Sequence, residues 1–232
     1  MKRLQFRRPD SWRIMLARLV HLNVGLALFG VSISMMLRAH VGVGPWDVFH
    51  QGLALRTPIT IGQAMILAGL SLLALSMLVA RVKPGIGTVA NMTLVGIWVD
   101  VFMAMPRFPE ASGILDGAAL FGLGLVLNGA ATGLYLTAGL GAGPRDGFAL
   151  ALSKLAKIPV RRARTLVEIV VCTTGWLLGG TVGLGTVAFA LAIGPLMQTS
   201  MRLFGTIEAR YARTGESVAA RRAFTRVDGV RR

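Results

Sequence analysis

The chain has 232 residues, of which 54% are hydrophobic and only 15% are charged, and its net charge is +15. Soluble domains carry fewer apolar residues and about 25% charged ones, so this composition argues against a soluble protein. The basic residues cluster at the two ends and between Lys154 and Arg164, a distribution that argues against a nucleic-acid-binding surface. The composition therefore predicts a protein embedded in the lipid bilayer, with basic segments that contact anionic lipids.

Six segments are apolar enough to cross the hydrocarbon of a membrane, which takes about 20 residues. They are 19–37, 61–80, 86–105, 118–138, 165–184 and 186–204. The first is longer than the apolar core of a signal peptide, and Arg38-Ala39-His40 is a poor cleavage site. We therefore expect it to remain as a span.

Two shorter segments, 45–56 and 144–157, combine an apolar stripe at helical spacing with polar residues. Because they are too short to cross the hydrocarbon, we expect each to form an interfacial or re-entrant helix. Counting both as spans instead gives eight crossings and nearly the same charge asymmetry. The length of these segments is what favours six spans.

The lysines and arginines predict the orientation. With six spans and the N-terminus inside, all but three of the 25 basic residues lie on the inner side; the exceptions are Arg38, Arg56 and Arg107. Basic residues concentrate on the cytoplasmic side of membrane proteins. We therefore expect a multi-pass protein of the bacterial inner membrane with both termini in the cytoplasm.

The two halves of the chain share two motifs. G-x-G-P-x-D-x-F occurs at 42–49 and again at 141–148, and G-x-G-T-V occurs at 85–89 and again at 183–187. Each half holds three predicted spans, and because three is odd the second half must enter the membrane from the opposite face. This predicts inverted repeats. The first G-x-G-P-x-D motif is then expected to face outside, and the second to face the cytoplasm.

These patterns predict an all-α polytopic bundle of about six transmembrane helices, arranged as two inverted three-span repeats that each carry one short helix. The predicted units are a basic cytoplasmic segment 1–17, a first repeat 18–106, an outer loop 107–116, a second repeat 117–204 and a basic cytoplasmic tail 205–232. The tail is interpreted as a solvated, partly disordered segment that satisfies the charge rule. The alternative is that it binds a protein partner or anionic lipid.

The chain resembles the YczE branch of the YczE/YyaS/YitT family of bacterial membrane proteins. The resemblance is carried by residues 42–53 and 141–148, together with Pro58-Ile59-Thr60-Ile61-Gly62-Gln63 and Gly183-Leu184-Gly185-Thr186. It covers about residues 18–204, the membrane part only. It implies an inner-membrane protein with several spans and no settled biochemical activity.

Asp47 and Asp146 are the first candidates for a binding site, because they occupy the same position in the two motif copies. As paired carboxylates they could bind a cation, a proton or a cationic solute. The alternative is structural, since a proline at the first helical position and an acidic residue in the first turn are typical of a helix N-terminus. The residues of this turn-and-cap interpretation are Gly42, Gly44, Pro45, Gly141, Gly143 and Pro144.

Three further polar residues lie inside predicted spans, where an ionisable side chain is costly and suggests function. Asp100 and Gln198 align in the two halves, as expected of a polar site that both halves share. Asp100 also lies near the end of its span, which makes a structural role equally plausible. Glu168 follows Arg164 by four residues, so an ion pair along one helix is its alternative role.

The sequence predicts neither a metal site nor a cofactor site, because no residues have the spacing that either requires. It also holds no pair that would activate a nucleophile, so an enzyme within the membrane is the third hypothesis. The leading hypothesis is a transporter of a small solute or ion with its site at the repeat interface. The alternative is a membrane regulatory or scaffold protein with a basic docking surface. A polar cavity between the halves would favour transport, and a dry core would favour the regulatory role.

Overall fold

The computed structural model describes residues 12–80, 84–141 and 143–228, without the side chains of 79–80 and 208–228. These residues form eight α-helices and no β-strand, which confirms the predicted all-α class. In chain order the helices are α1 (Trp12–Arg38), α2 (Pro45–Arg56), α3 (Ile61–Ala80), α4 (Ile86–Met103), α5 (Ile114–Thr137), α6 (Pro144–Ala156), α7 (Val160–Leu177) and α8 (Leu184–Asp228). Most of the predicted N-terminal segment, and 229–232 of the predicted tail, lie outside the described residues.

The two short helices begin where the sequence predicts. Pro45 opens α2 and Pro144 opens α6, each after a glycine with an extended backbone. Proline suits this position because its fixed φ angle is helical and its missing N–H would have no partner within the helix. Asp47 and Asp146 therefore lie in the first turns of their helices.

Two helices differ from the predicted boundaries. Helix α7 begins five residues before the predicted span, directly after Pro159, and ends at Leu177, before Gly179 with its φ of +102°. A search for apolar residues alone overlooks its charged first turns. Helix α8 continues through the predicted tail to Asp228, so the expected disorder is replaced by helical backbone over most of that segment. The tail is rich in alanine and arginine, which favour helices.

Five of the described helices are long and apolar enough to cross a membrane: α1, α3, α4, α5 and α8. The predicted fifth span corresponds to α7. It is less apolar because its 18 residues include Arg161, Arg162, Arg164 and Glu168. The apolar composition of the described residues thus agrees with five of the six predicted spans.

Helices α1 and α5 cross in an antiparallel arrangement at the centre of the bundle. A Cβ atom added to Gly25 would lie 2.7 Å from the backbone nitrogen of Tyr135, and one added to Gly124 would lie 3.0 Å from Met36. Asn128 donates a hydrogen bond to Ser32 at 2.9 Å between these contacts. Small residues at such positions let two helices approach closely. Around this pair, α4 packs on α1 and α8 packs on α5.

The two copies of the G-x-G-T-V motif make matching contacts. Gly87 donates its backbone N–H to the carbonyl of Leu140 at 2.9 Å, and Gly185 donates to the carbonyl of Val41 at 2.8 Å. Each copy thus holds the loop that precedes the short helix of the other half. The halves are joined by the same hydrogen bond made twice.

The loops held in this way require glycine. Gly42 has a φ of +105° and Gly141 a φ of +127°, a region that residues with a Cβ atom rarely adopt. A Cβ atom at Gly42 would also lie 2.7 Å from the backbone nitrogen of Gly183. The turn role predicted for these two glycines is therefore confirmed by their backbone angles.

Candidate functional site

A cavity of about 110 Å³, with both charged and apolar side chains in its wall, lies between the two halves. Every described helix contributes to its wall, and its charged residues are Asp47, Arg145, Asp146, Arg164 and Glu168. The apolar part of the wall includes Phe29, Met65, Met92 and Phe189. Because a single water needs only roughly 10–15 Å³ of such space, the cavity has room for several waters or a small solute.

The N-terminal ends of α2 and α6 meet at this cavity. Nη2 of Arg145, in the first turn of α6, lies 4.0 Å from Oδ1 of Asp47, in the first turn of α2. The other ends of the two helices lie far apart. Arg56 at the end of α2 donates to the carbonyl of Leu178 just beyond α7, whereas α6 leads into the opposite end of α7 at Val160.

The two aspartates therefore line one cavity. The sequence predicts that the two G-x-G-P-x-D motifs face opposite sides of the membrane, yet the carboxylates of both motifs reach the same cavity. The physical reason is length, since a helix of 12 or 13 residues rises about 18–20 Å and reaches from one end of a bundle into its interior. Both helices also direct the positive ends of their dipoles into the cavity.

Asp47 is 4% exposed, and its Oδ1 finds no hydrogen-bond partner among the described residues. The nearest basic side chains stand outside hydrogen-bonding distance of Asp47, with Nδ1 of His50 at 3.7 Å and Nη2 of Arg145 at 4.0 Å. No side-chain cap bond is present at the described N-termini of α2 and α6. Of the capping interpretation, the geometry therefore supports only a favourable interaction of the two aspartates with the helix dipoles.

Asp146 belongs to a charged group on the other side of the cavity. Nη1 of Arg164 lies 3.6 Å from its Oδ1, and Nε of Arg164 donates to Glu168 at 2.9 Å. The ion pair predicted between Arg164 and Glu168 is therefore present. Both residues also line the cavity, so the ion pair does not remove Glu168 from the candidate site.

The other two sequence candidates lie outside the cavity. Asp100 accepts hydrogen bonds from Thr60 and from the backbone of Gly62, at the beginning of α3. Gln198 is exposed on the surface of α8. Their alignment in the two halves therefore does not bring them to a common polar site.

Sequence reasoning missed three residues of the site: Trp46, His50 and Arg145. The guanidinium of Arg145 lies 5.1 Å from the centre of the Trp46 ring, and the His50 ring stacks on the same indole with 6.1 Å between ring centres. Trp46 and Arg145 occupy the same position in the two motif copies. This shared position in the two motif copies was the signal available in the sequence.

The described residues hold no cluster of three or more metal-ligating side chains. The polar groups around the cavity include carboxylates, guanidiniums, amides and one imidazole. This set is suited to ion pairing, hydrogen bonding and proton exchange.

Comparison with known proteins places the chain in a family. Residues 16–202 match the family described as "Family of unknown function (DUF6198)". The chain is 34% identical over 173 residues to "Uncharacterized membrane protein YczE" of Bacillus subtilis, covering 75% of this chain and 79% of that protein. It is 33% identical over 183 residues to an uncharacterized protein of Haemophilus influenzae, covering 78% and 82%.

A third relative is "Uncharacterized protein YyaS" of Bacillus subtilis, 25% identical over 183 residues, covering 78% of this chain and 91% of YyaS. No solved structure matches. The resemblance to YczE and YyaS that the motifs indicate is thereby confirmed. With its apolar helices and its kinship to YczE, the chain is a multi-pass membrane protein that belongs to the family DUF6198.

Proposed function

We propose that this protein is a transporter of a small solute or ion, and that the cavity between its halves is the binding site. The observation that carries the proposal is the buried Asp47 carboxylate at the cavity, whose Oδ1 has no hydrogen-bond partner among the described residues. A buried polar group without a partner is costly, so its presence points to a ligand. Carriers built from repeats commonly bind their substrates at the repeat interface.

The proposal includes the inverted repeat. Helices α1 and α5 are equivalent by the motif alignment and antiparallel in their packing, as the contacts Gly25–Tyr135 and Gly124–Met36 indicate. An axis that relates two antiparallel helices is perpendicular to them, so in a membrane it lies in the bilayer plane. A second pair of contacts supports this relation, since Gly30 packs on Trp98 and Gly129 on Leu196.

The cavity wall follows the same relation. Met65 and Gly69 of α3 line it, and so do their equivalents Arg164 and Glu168 of α7. We infer that α7 also spans the membrane, which brings the number of spans to six, and that it is less apolar because its charges serve the cavity. We infer likewise that α2 and α6 are re-entrant helices, since their first turns meet at the cavity while their last turns lie at opposite ends of α7. The charge rule then places both termini in the cytoplasm of a bacterial cell.

The regulatory alternative depends on the basic tail, whose side chains beyond Ile207 lie outside the described part of the chain. A docking protein needs no charged cavity between its halves, so the charged residues that line this cavity favour transport. We propose binding rather than catalysis at this cavity, because Arg164 is held by Asp146 and Glu168. The inner ends of the bundle would contact anionic lipids.

The test is uptake by the purified full-length protein in liposomes, screened across cations, anions and small polar solutes. Asp47→Asn and Arg145→Gln should each abolish uptake of any transported solute while the protein stays folded. Asp116→Asn is the matched control, because Asp116 is an exposed first-turn aspartate of α5, away from the cavity. Uptake that persists unchanged in both cavity variants would exclude the cavity as the site.

A further inference from the structure

We propose that Asp47 and His50 form a proton-binding pair, and that a proton and the Arg145 guanidinium compete for the Asp47 carboxylate. This inference rests on the proposed transport function and makes it proton-coupled. The exchange is simple: with Arg145 withdrawn, the carboxylate accepts a proton from a hydronium ion and leaves a water molecule. When Arg145 returns, the carboxyl group gives the proton back to water.

The geometry of the pair is the first support. His50 is 1% exposed and Asp47 is 4% exposed. Nδ1 of His50 and Oδ1 of Asp47 face each other at 3.7 Å, and neither has a hydrogen-bond partner among the described residues. A small approach of the two groups, or one bridging water, would let a single proton satisfy both atoms.

The position of Arg145 is the second support. Its Nη2 lies 4.0 Å from Oδ1 of Asp47, at the outer limit of an ion pair, and its guanidinium also makes a cation–π contact with the Trp46 ring. Asp47 and Arg145 belong to different halves, so a movement that draws the first turns of α2 and α6 apart separates them. A buried carboxylate that loses its cation is strongly destabilised, and taking up a proton removes the charge.

Among the described residues that line the cavity, Arg145 is the cation best placed to compete with a proton for Asp47. From α7, Arg164 faces the cavity but is held by Asp146 and by Glu168. From α5, the cavity wall includes the neutral Tyr135. From α3, the lining residues are Met65, Ala68, Gly69 and Leu72, none of which carries a charge.

The second half lacks this arrangement. The equivalent of His50 is Ala149, so Asp146 has no histidine three residues later. Its partner is Arg164, which is also anchored by Glu168. The halves therefore provide a matched internal comparison, in which proton binding is expected at Asp47 and not at Asp146.

The direct test is infrared difference spectroscopy of the purified full-length protein during acidification. The carbonyl stretch of a protonated carboxyl group should appear, vanish in Asp47→Asn and remain in Asp146→Asn. Arg145→Gln should move the midpoint of this band to higher pH by about one unit or more, because removing a nearby cation favours the protonated form. His50→Ala should shift the same midpoint. These two variants keep the test valid if Asp47→Asn fails to fold.

Transport in liposomes separates this inference from the proposed function. With one proton per cycle, each pH unit across the membrane supports about tenfold accumulation of a neutral solute. An Asp47 band without uptake of any tested solute supports the proton site and counts against transport. Uptake that ignores the pH gradient, in a protein whose acid-induced band survives Asp47→Asn, overturns the proton pair and leaves transport standing.

Discussion

Oδ1 of Asp100 on α4 accepts a hydrogen bond from the backbone N–H of Gly62 at 2.9 Å, in the first turn of α3. Its other carboxylate oxygen accepts from the Thr60 hydroxyl at 2.5 Å. Asp100 thus satisfies a free donor at the beginning of a neighbouring helix. Asp100 therefore caps the beginning of α3, although it lies 38 residues after Gly62 in the chain.

Asp100→Ala should destabilise the protein by about 1–2 kcal/mol, the usual cost of losing an N-terminal cap. Gln198→Ala should stay within about 0.5 kcal/mol, because Gln198 is exposed. Thermal unfolding of the two variants in the same detergent measures the difference. Equal midpoints would remove the capping role from Asp100.

Gly25→Ala and Gly122→Ala should have opposite effects on stability. A Cβ atom at Gly25 would press on the backbone of Tyr135 at 2.7 Å, and overpacking of this kind costs about 1–3 kcal/mol. A Cβ atom at Gly122 meets no described atom within 4 Å, so alanine should stabilise α5 by about 0.5–1 kcal/mol. The unfolding midpoints in detergent should fall for the first variant and rise for the second. A rise for both would contradict the close α1–α5 crossing.

Glu110, in the loop between α4 and α5, predicts a pH dependence. Hydrogen bonds first from His40 and then from Arg38 hold the pKa of Glu110 below its ordinary value of 4.5. A carboxyl group with a lowered pKa in the folded state stabilises the protein above its ordinary pKa, and this contribution is lost as the pH falls through the lowered value. Because Glu110 is at the surface, the effect should be small.

Thermal unfolding between pH 7 and the acid range checks this expectation, with the pH values taken about one unit apart. Glu110→Gln should lower the unfolding midpoint at neutral pH, and the midpoint of this variant should fall less as the pH is lowered into the acid range. The matched control is Asp116→Asn, which removes a surface carboxylate that accepts from Ser112 instead of from a basic residue. If both variants respond to acid as the unchanged protein does, the cluster around Glu110 contributes nothing.

The proposed orientation predicts the location of reporter fusions. Reporters joined after Arg56, Pro109 and Gly183 should lie outside the cell, because these positions follow an odd number of proposed spans. Reporters after Lys83, Lys157 and Arg213 should lie in the cytoplasm. Alkaline phosphatase and green fluorescent protein, active on opposite sides, provide the two readouts. A cytoplasmic signal at Pro109 would contradict both the six-span topology and the inverted repeat.

Local patterns in the sequence determine the helices and their repetition. Pro45 and Pro144 open α2 and α6 as predicted, because proline fixes the backbone angle that a first turn needs. The positive φ angles of Gly42 and Gly141 follow equally from a local rule, since other residues disfavour them. Apolar length predicted five spans that the structure also shows as long apolar helices. These features depend on neighbours in the chain.

The site depends on packing between distant segments. Arg145 meets Trp46 and Asp47 only because α2 and α6 direct their first turns to the same cavity, and neither helix specifies that direction by itself. Asp100 seemed comparable to the cavity aspartates as an acidic residue in a span, yet its partner is the N–H of Gly62. The helix that carries a carboxylate forms because of the residues in that helix. The groups that neutralise the carboxylate come from other helices. Tertiary structure therefore decides which acidic residues are caps and which line the cavity.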